Sequence, residues 1–406
     1  MPSPRELFTQ FLLGDNEPAF AAASVLRRAG QWPEAIRLAR EWGVLPLLNS
    51  RLSALEIGLG GPLRADLQRL AAGDLARSAL QARHGVAALA RLEDCGIPAV
   101  AFKGLASLAV LHQAPRGRSL QDVDVLVREQ DLSAAVSALE PLGFSAGLPG
   151  LLSDYVTFVG NSPGFAGNRA ITLYGPDRSV IDIHWRLGRR PAGELLAGRV
   201  IARARRVRFL GRTIPAASPA DAMVLAAHHA LRNNFVPDLI MRDLADFRSW
   251  CDVLAGNGEL TPAVERAEAC RLVLPALALL LIWSSYSGIA SRHPVQSAFQ
   301  ARATPESTAS AGRLGGLFRR QLEVGHLNGD VLYLLRPSSW KQVLAGAFTG
   351  WGEHRRWMRY MEAKVNGAPL PLSRRLWTLI RSLGSLPPDS VRLLRTLAVA
   401  KDRCSC

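Results

Sequence analysis

Acidic side chains rarely interrupt a β-branched run, yet Asp122-Val-Asp-Val-Leu-Val127 carries two of them. In a strand successive side chains alternate between faces. Asp122 and Asp124 therefore project from one face, about 7 Å apart along the backbone, while Val123, Val125 and Val127 take the opposite, buried face. A carboxylate in such a run is costly to bury without a partner. Two held side by side can share Mg²⁺ ions, which prefer oxygen ligands and leave room for substrate phosphates. The same alternation in Val180-Ile-Asp-Ile-His-Trp185 puts Asp182 and His184 on one face and Ile181, Ile183 and Trp185 on the other. If the two strands are neighbours, three acids converge, the arrangement that two-metal phosphoryl chemistry uses. The bland alternative is a surface edge or a set of turn caps.

These strands lie between helical regions. From about residue 5 to 95 apolar residues recur every three or four positions, through Glu6–Leu13, Ala19–Arg28 and Trp32–Trp42, with one or two long helices over Pro62–Asp94. At Cys95-Gly-Ile-Pro the texture changes, and Ile97–Phe102 reads as a buried strand ending in Lys103-Gly104. A short helix, Leu105–His112, the strand at Asp122–Val127 and a helix from Glu129 to Leu142, closed by Gly143, complete a small α/β unit. Further strands are expected at Tyr155–Val159, Ala170–Tyr174, Val180–Trp185 and Arg205–Leu210, with Gly175-Pro-Asp-Arg178 as a hairpin turn and a boundary at Pro215–Pro219. Helices resume at Ser218, a suitable N-cap, through Ala222–Arg232, Leu239–Ala255 and Pro262–Ser284, and residues 296–316 are expected to be a loop. The division is thus a helical region over 1–95, an α/β core over 96–215, a helical region over 216–295, and a basic, mostly helical region over 296–406. The fold class is α+β.

A length of 406 residues favours two or three compact units, and 48% hydrophobic with 20% charged residues excludes disorder throughout. The apolar stretch Leu272–Trp283, interrupted by Pro275, is too short to cross a bilayer and reads as a buried helix. The N-terminus lacks a secretory pattern, so a cytoplasmic location is expected. Five scattered cysteines argue against a disulfide framework or structural zinc, and Cys404-Ser-Cys406 is read as a frayed tail. The formal charge of +15 suits an acidic partner, but only four of the 49 basic residues are lysine, a skew expected of a GC-rich, bacterial genome. It makes Lys103 noticeable.

The segments Phe102-Lys-Gly-Leu-Ala106, Arg118-Ser-Leu-Gln-Asp-Val-Asp-Val-Leu-Val127, Ala134–Phe144 and Ile181-Asp-Ile-His-Trp-Arg186 resemble the uncharacterised nucleotidyltransferase family of the DNA polymerase β-like superfamily, over roughly residues 20 to 290. The resemblance implies a small mixed-sheet nucleotidyltransferase core that moves a nucleoside monophosphate from a nucleoside triphosphate, ATP foremost, to an acceptor hydroxyl or phosphate. It implies Mg²⁺ or Mn²⁺ at Asp122, Asp124 and Asp182, with Asp182 also helping to deprotonate the acceptor. Lys103-Gly104 stands where the wider superfamily has Gly-Ser. There a glycine turn would present backbone N–H groups, and Lys103 a point charge, to the phosphates. The alternative for Lys103 is a solvated strand end. Arg118 matches a family arginine that either clamps phosphate or pairs with Asp122 or Asp124. Gln121 stands where the family carries a small residue.

Other residues are left open. His184 orients a carboxylate, touches substrate, or is a hydrogen-bonded structural histidine. His228 and His229 favour a buried hydrogen-bonding role over catalysis, and Arg242, with Arg203, Arg205, Arg206 and Arg208, is a candidate for a basic cleft wall. Arg355–Arg395, rich in tryptophan and arginine, fits a helical core face better than a nucleic-acid or membrane surface. The acceptor is a small molecule, peptide or protein. An RNA end, or a non-catalytic nucleotide-binding scaffold with the same fold, is the alternative.

Overall fold

The computed structural model describes residues 2–114, 118–146, 170–187, 192–233, 235–288 and 293–324. The strand expected at Tyr155–Val159 and the basic segment with Cys404 and Cys406 lie outside them.

The centre is a seven-stranded mixed sheet: β1 (Ala99–Phe102), β2 (Val123–Val127), β3 (Ser145–Ala146), β4 (Ala170–Tyr174), β5 (Val180–His184), β6 (Arg205–Phe209) and β7 (Arg212–Ala216), in the order β3-β4-β5-β2-β1-β7-β6. β2 pairs antiparallel to β1 and parallel to β5, with Asp124 opposite Asp182. The period-2 pattern divides the sheet as its side chains dictate. Ala99, Ala101, Val123, Val125, Val127, Ile181 and Ile183 join one core with the helix Leu132–Leu139 and the C-terminal half of the 34-residue helix Gly61–Asp94. Val100, Phe102 and Leu126 face a second core.

That second core brings together helices that precede and follow the sheet in sequence. Phe8, Phe11, Trp32 and Trp42 from the first helices pack with Phe247, Trp250, Leu279 and Trp283 from helices Pro237–Gly256 and Val273–Ser284. The apolar stretch around Pro275 is indeed a buried helix, and among the described residues no helix is long and apolar enough to cross a membrane.

Three expectations are corrected. Residues 296–316 are not a loop: helices Pro294–Gln300 and Pro305–Val324 occupy most of that span, and Phe299, Ala311, Leu314, Leu317 and Phe318 are buried at helical spacing. Small, uncharged residues on their outer faces hid the period, while Pro305 and the Thr304 side chain, which accepts from the Ser307 amide, start the longer helix. The stretch before Pro219, where no strand is expected, forms β7, in which Pro215 pairs with Arg206 of β6, and the helix follows at Pro219. Pro262–Ser284 is two helices, Leu260–Ala269 and Val273–Ser284, broken around Arg271 at positive φ.

Candidate active site

Asp124 lies mid-sheet with its side chain on the second-core face, and two groups converge on it. The Lys103 ammonium is 2.6 Å from its Oδ1, and His184 Nε2 is 2.8 Å from the same atom. An ionised carboxylate only accepts, so Nε2 carries the proton. The His184 ring stands edge-on to Phe102, centroids 4.9 Å apart, which fixes its orientation. Asp182, one strand over, accepts a 2.7 Å hydrogen bond from the Thr172 hydroxyl on β4. One ligand atom each from Asp124, Asp182 and His184 lie within 4.8 Å of one another. Asp122, one residue before β2, stands outside that grouping while feeling the charge of both other aspartates.

The charges are poised unequally. Burial would raise the Asp124 carboxyl, but Lys103 and His184 outweigh it and hold the group well below the ordinary carboxylate range. Burial raises Asp122, and the Asp124 charge adds to the rise; Asp182 is raised by burial and by Asp124, against the Thr172 hydrogen bond. Burial lowers His184, keeping the imidazole neutral. Asp122 and Asp182 are thus carboxylates short of positive charge. The two or three carboxylate oxygens fit a hard divalent cation, with His184, whose Nε2 proton goes to Asp124, orienting that carboxylate.

Lys103 reaches Asp124 by a strained backbone, φ 51° and ψ −125°, a region that costs a non-glycine residue roughly 1–3 kcal/mol. Gly104 is required for a different reason from the one the sequence suggests. A Cβ there would lie 2.5 Å from Arg118 Nη1 and 2.5 Å from Leu120 Cδ1, so glycine admits the Arg118 guanidinium over a buried turn. The helix expected over Leu105–His112 is one α-helical turn, Gly104–Ser107, followed by a π turn, Leu108–His112.

Arg118 pairs with neither Asp122 nor Asp124. Its Nε is 2.7 Å from Asp246 on helix Pro237–Gly256, and Asp246 also accepts from Ser107 at 2.9 Å. Full burial still pushes the Asp246 carboxyl up to about 6. Three positions earlier Asp243 accepts from His229 at 2.6 Å, so the buried hydrogen-bonding role expected of that histidine is what it has. His228 lines a cavity of about 20 Å³ beside Lys103, His184, Arg186 and Arg232, room for one water. Asp246, Thr172 and Arg232 were not legible as site residues. Of the proposed basic wall, Arg203, Arg205 and Arg206 pair with Asp221, Glu259 and Glu93, and Arg208 is exposed on β6. Only Arg242 stands near the acids, its charge acting on Asp122.

A family model described as an uncharacterised nucleotidyltransferase matches residues 28–287, well over half of the chain. The chain belongs to this family. No curated protein and no solved structure matches it. The matched segment contains the whole sheet, the three acids, Lys103 and the helix bearing Asp243 and Asp246, whereas Pro4–Leu13 and Pro294–Val324 lie outside it. Family membership supports nucleotidyl transfer, with a nucleoside triphosphate as substrate, as the general activity.

Proposed function

We propose that this nucleotidyltransferase family member transfers a nucleoside monophosphate, from ATP in the first instance, to an acceptor hydroxyl or phosphate with release of pyrophosphate, using Mg²⁺ or Mn²⁺ held by Asp122, Asp124 and Asp182. The observation that carries this reading is the parallel β2–β5 register, which sets Asp124 opposite Asp182 with Lys103 and His184 on the same carboxylate. When bound, the ion would neutralise phosphate charge and acidify the acceptor. The chain's own groups divide the remaining tasks. Lys103, already at Asp124, is placed to exchange that contact for a phosphate oxygen. His184 orients Asp124, Thr172 orients Asp182, and Asp182, whose proton affinity burial and Asp124 raise, is the carboxylate suited to accept the acceptor's proton.

The test is calorimetric titration of ATP, GTP, CTP and UTP, with and without Mg²⁺, into the wild-type chain and Asp122→Asn/Asp124→Asn. Metal-dependent binding of one triphosphate, lost in the variant, is expected. Equal binding by both proteins, or none by either, overturns the assignment.

A further inference from the structure

Next to the acid cluster, a cavity of about 320 Å³ opens between the first helices and helix Pro237–Gly256. Its floor is apolar, from Leu12, Leu13 and Leu47, and its wall is strongly cationic: Arg51, Arg118, Arg242 and Arg248 all line it. Two aspartates share that wall, and both are engaged, Asp246 with Arg118 and Asp252 with His293. Three of the arginines are engaged too, Arg51 with the Phe11 and Gly14 carbonyls, Arg118 with Asp246, and Arg248 over the Trp283 ring.

Arg242 differs. Among the described residues it makes no hydrogen bond and no ion pair, although it is half-buried and its charge is disfavoured first by burial and then by neighbouring Arg118. Its stem lies against Gly43, where a Cβ would come within 3.0 Å of Arg242 Cδ; with φ +64°, Gly43 answers both to its own turn and to this close approach. A guanidinium with five donors and no acceptor, facing a cavity whose wall is already cationic, is completed best by an anion.

We propose that this cavity is an oxyanion site, in which Arg242 and Arg118 hold the phosphate or carboxylate of a small organic molecule whose apolar part lies on the leucine floor. The volume is at the lower end for a ligand pocket, so the occupant is compact. Two sources share this chemistry: the phosphate tail of the triphosphate, since both arginines act on Asp122, or a separate anionic acceptor. The anion site itself goes beyond the metal-and-triphosphate reading; of its two sources, only the triphosphate tail rests on that reading.

Inorganic phosphate titrated into the metal-free full chain is the probe, because without an ion the acids cannot hold it. Wild type is expected to bind phosphate, and Arg242→Gln to lose roughly ten- to a hundredfold in affinity, the worth of charge-assisted hydrogen bonds. The unfolding midpoint of Arg242→Gln should stay or rise, since no partner is orphaned. Should that variant fail to fold, Ser249→Asp, two helical turns along on the same wall, supplies a competing carboxylate and should weaken phosphate similarly. No phosphate binding by wild type, or equal binding by the variants, overturns the proposal. Given the expected loss, Mg²⁺–triphosphate binding to Arg242→Gln identifies the source: weakened alike, the anion is the triphosphate tail; unchanged, it belongs to the acceptor.

Discussion

Asp182→Asn should make the metal-free protein more stable and the loaded protein inert. Ligand atoms of Asp182 and Asp124 lie within 4.8 Å of each other. Two unit charges at that separation repel by about 3 kcal/mol at an effective dielectric of about 20. Lys103, 2.6 Å from Asp124, offsets part of this, leaving about 1–2 kcal/mol for the substitution to relieve. The amide oxygen of asparagine can still accept from Thr172, so no hydroxyl is orphaned. The expected rise in unfolding midpoint without divalent ions is at most roughly 2–8 °C, at about 2–4 °C per kcal/mol for domains somewhat smaller than this. With Mg²⁺ present the wild type should gain stability by mass action and the variant should not. Turnover should fall by roughly two orders of magnitude or more as a metal contact and a proton acceptor are lost. Thermal unfolding followed by circular dichroism, with chelator and with Mg²⁺, reads the sign. A metal-free Asp182→Asn that melts below wild type would refute the argument and make Asp182 a structural acid.

Lys103→Met should leave Asp124 less compensated and raise its proton affinity, so stability above about pH 4 should drop by roughly 1–3 kcal/mol; a midpoint equal to wild type at neutral pH counts against the ion pair. The two kinds of aspartate oppose each other in pH dependence. Asp124, depressed in the folded state, contributes stability that is present above the unfolded value near 4 and is lost as pH falls below it, whereas Asp122 and Asp182, raised, favour the fold below that value and cost stability as pH rises through their folded values. Mg²⁺ affinity should accordingly decline on acidification before ordinary carboxylates titrate, because Asp122 and Asp182 must give up protons to bind; a flat affinity down to about pH 4.5 contradicts this. Asp246→Ala should be among the most damaging single changes outside the acid cluster, about 3–5 kcal/mol, since it strands the buried Arg118 guanidinium; denaturant unfolding checks it, and a loss under about 1 kcal/mol refutes it.

What could be read from the residues, and what could not, divides by range. Period-2 alternation at Asp122–Val127 and Val180–Trp185 is a local property, and it already assigned the acids to one face and the valines and isoleucines to a buried one. The β7 strand escaped because Pro215, which has no N–H to donate, reads as a boundary, although its residue pairs with β6 within the sheet. The helices after Pro294 escaped because small uncharged residues carry little periodic signal.

By itself the sequence determined the α+β class, the shared face of Asp182 and His184 and of Asp122 and Asp124, and the presence of a lysine at the end of β1, since these depend on residue type and spacing along a few positions. Tertiary structure alone decided that β2 lies parallel to β5, that Lys103 and His184 meet on Asp124, and that Arg118 turns away from the acids to Asp246, 128 positions along the chain. It also decided that, of the four arginines lining the cavity, Arg242 is the one without a hydrogen bond, ion pair or ring contact among the described residues. Charge pairing is set by distance in space, and a chain in which Arg is frequent offers many equivalent pairings until packing of the helices that precede and follow the sheet selects one.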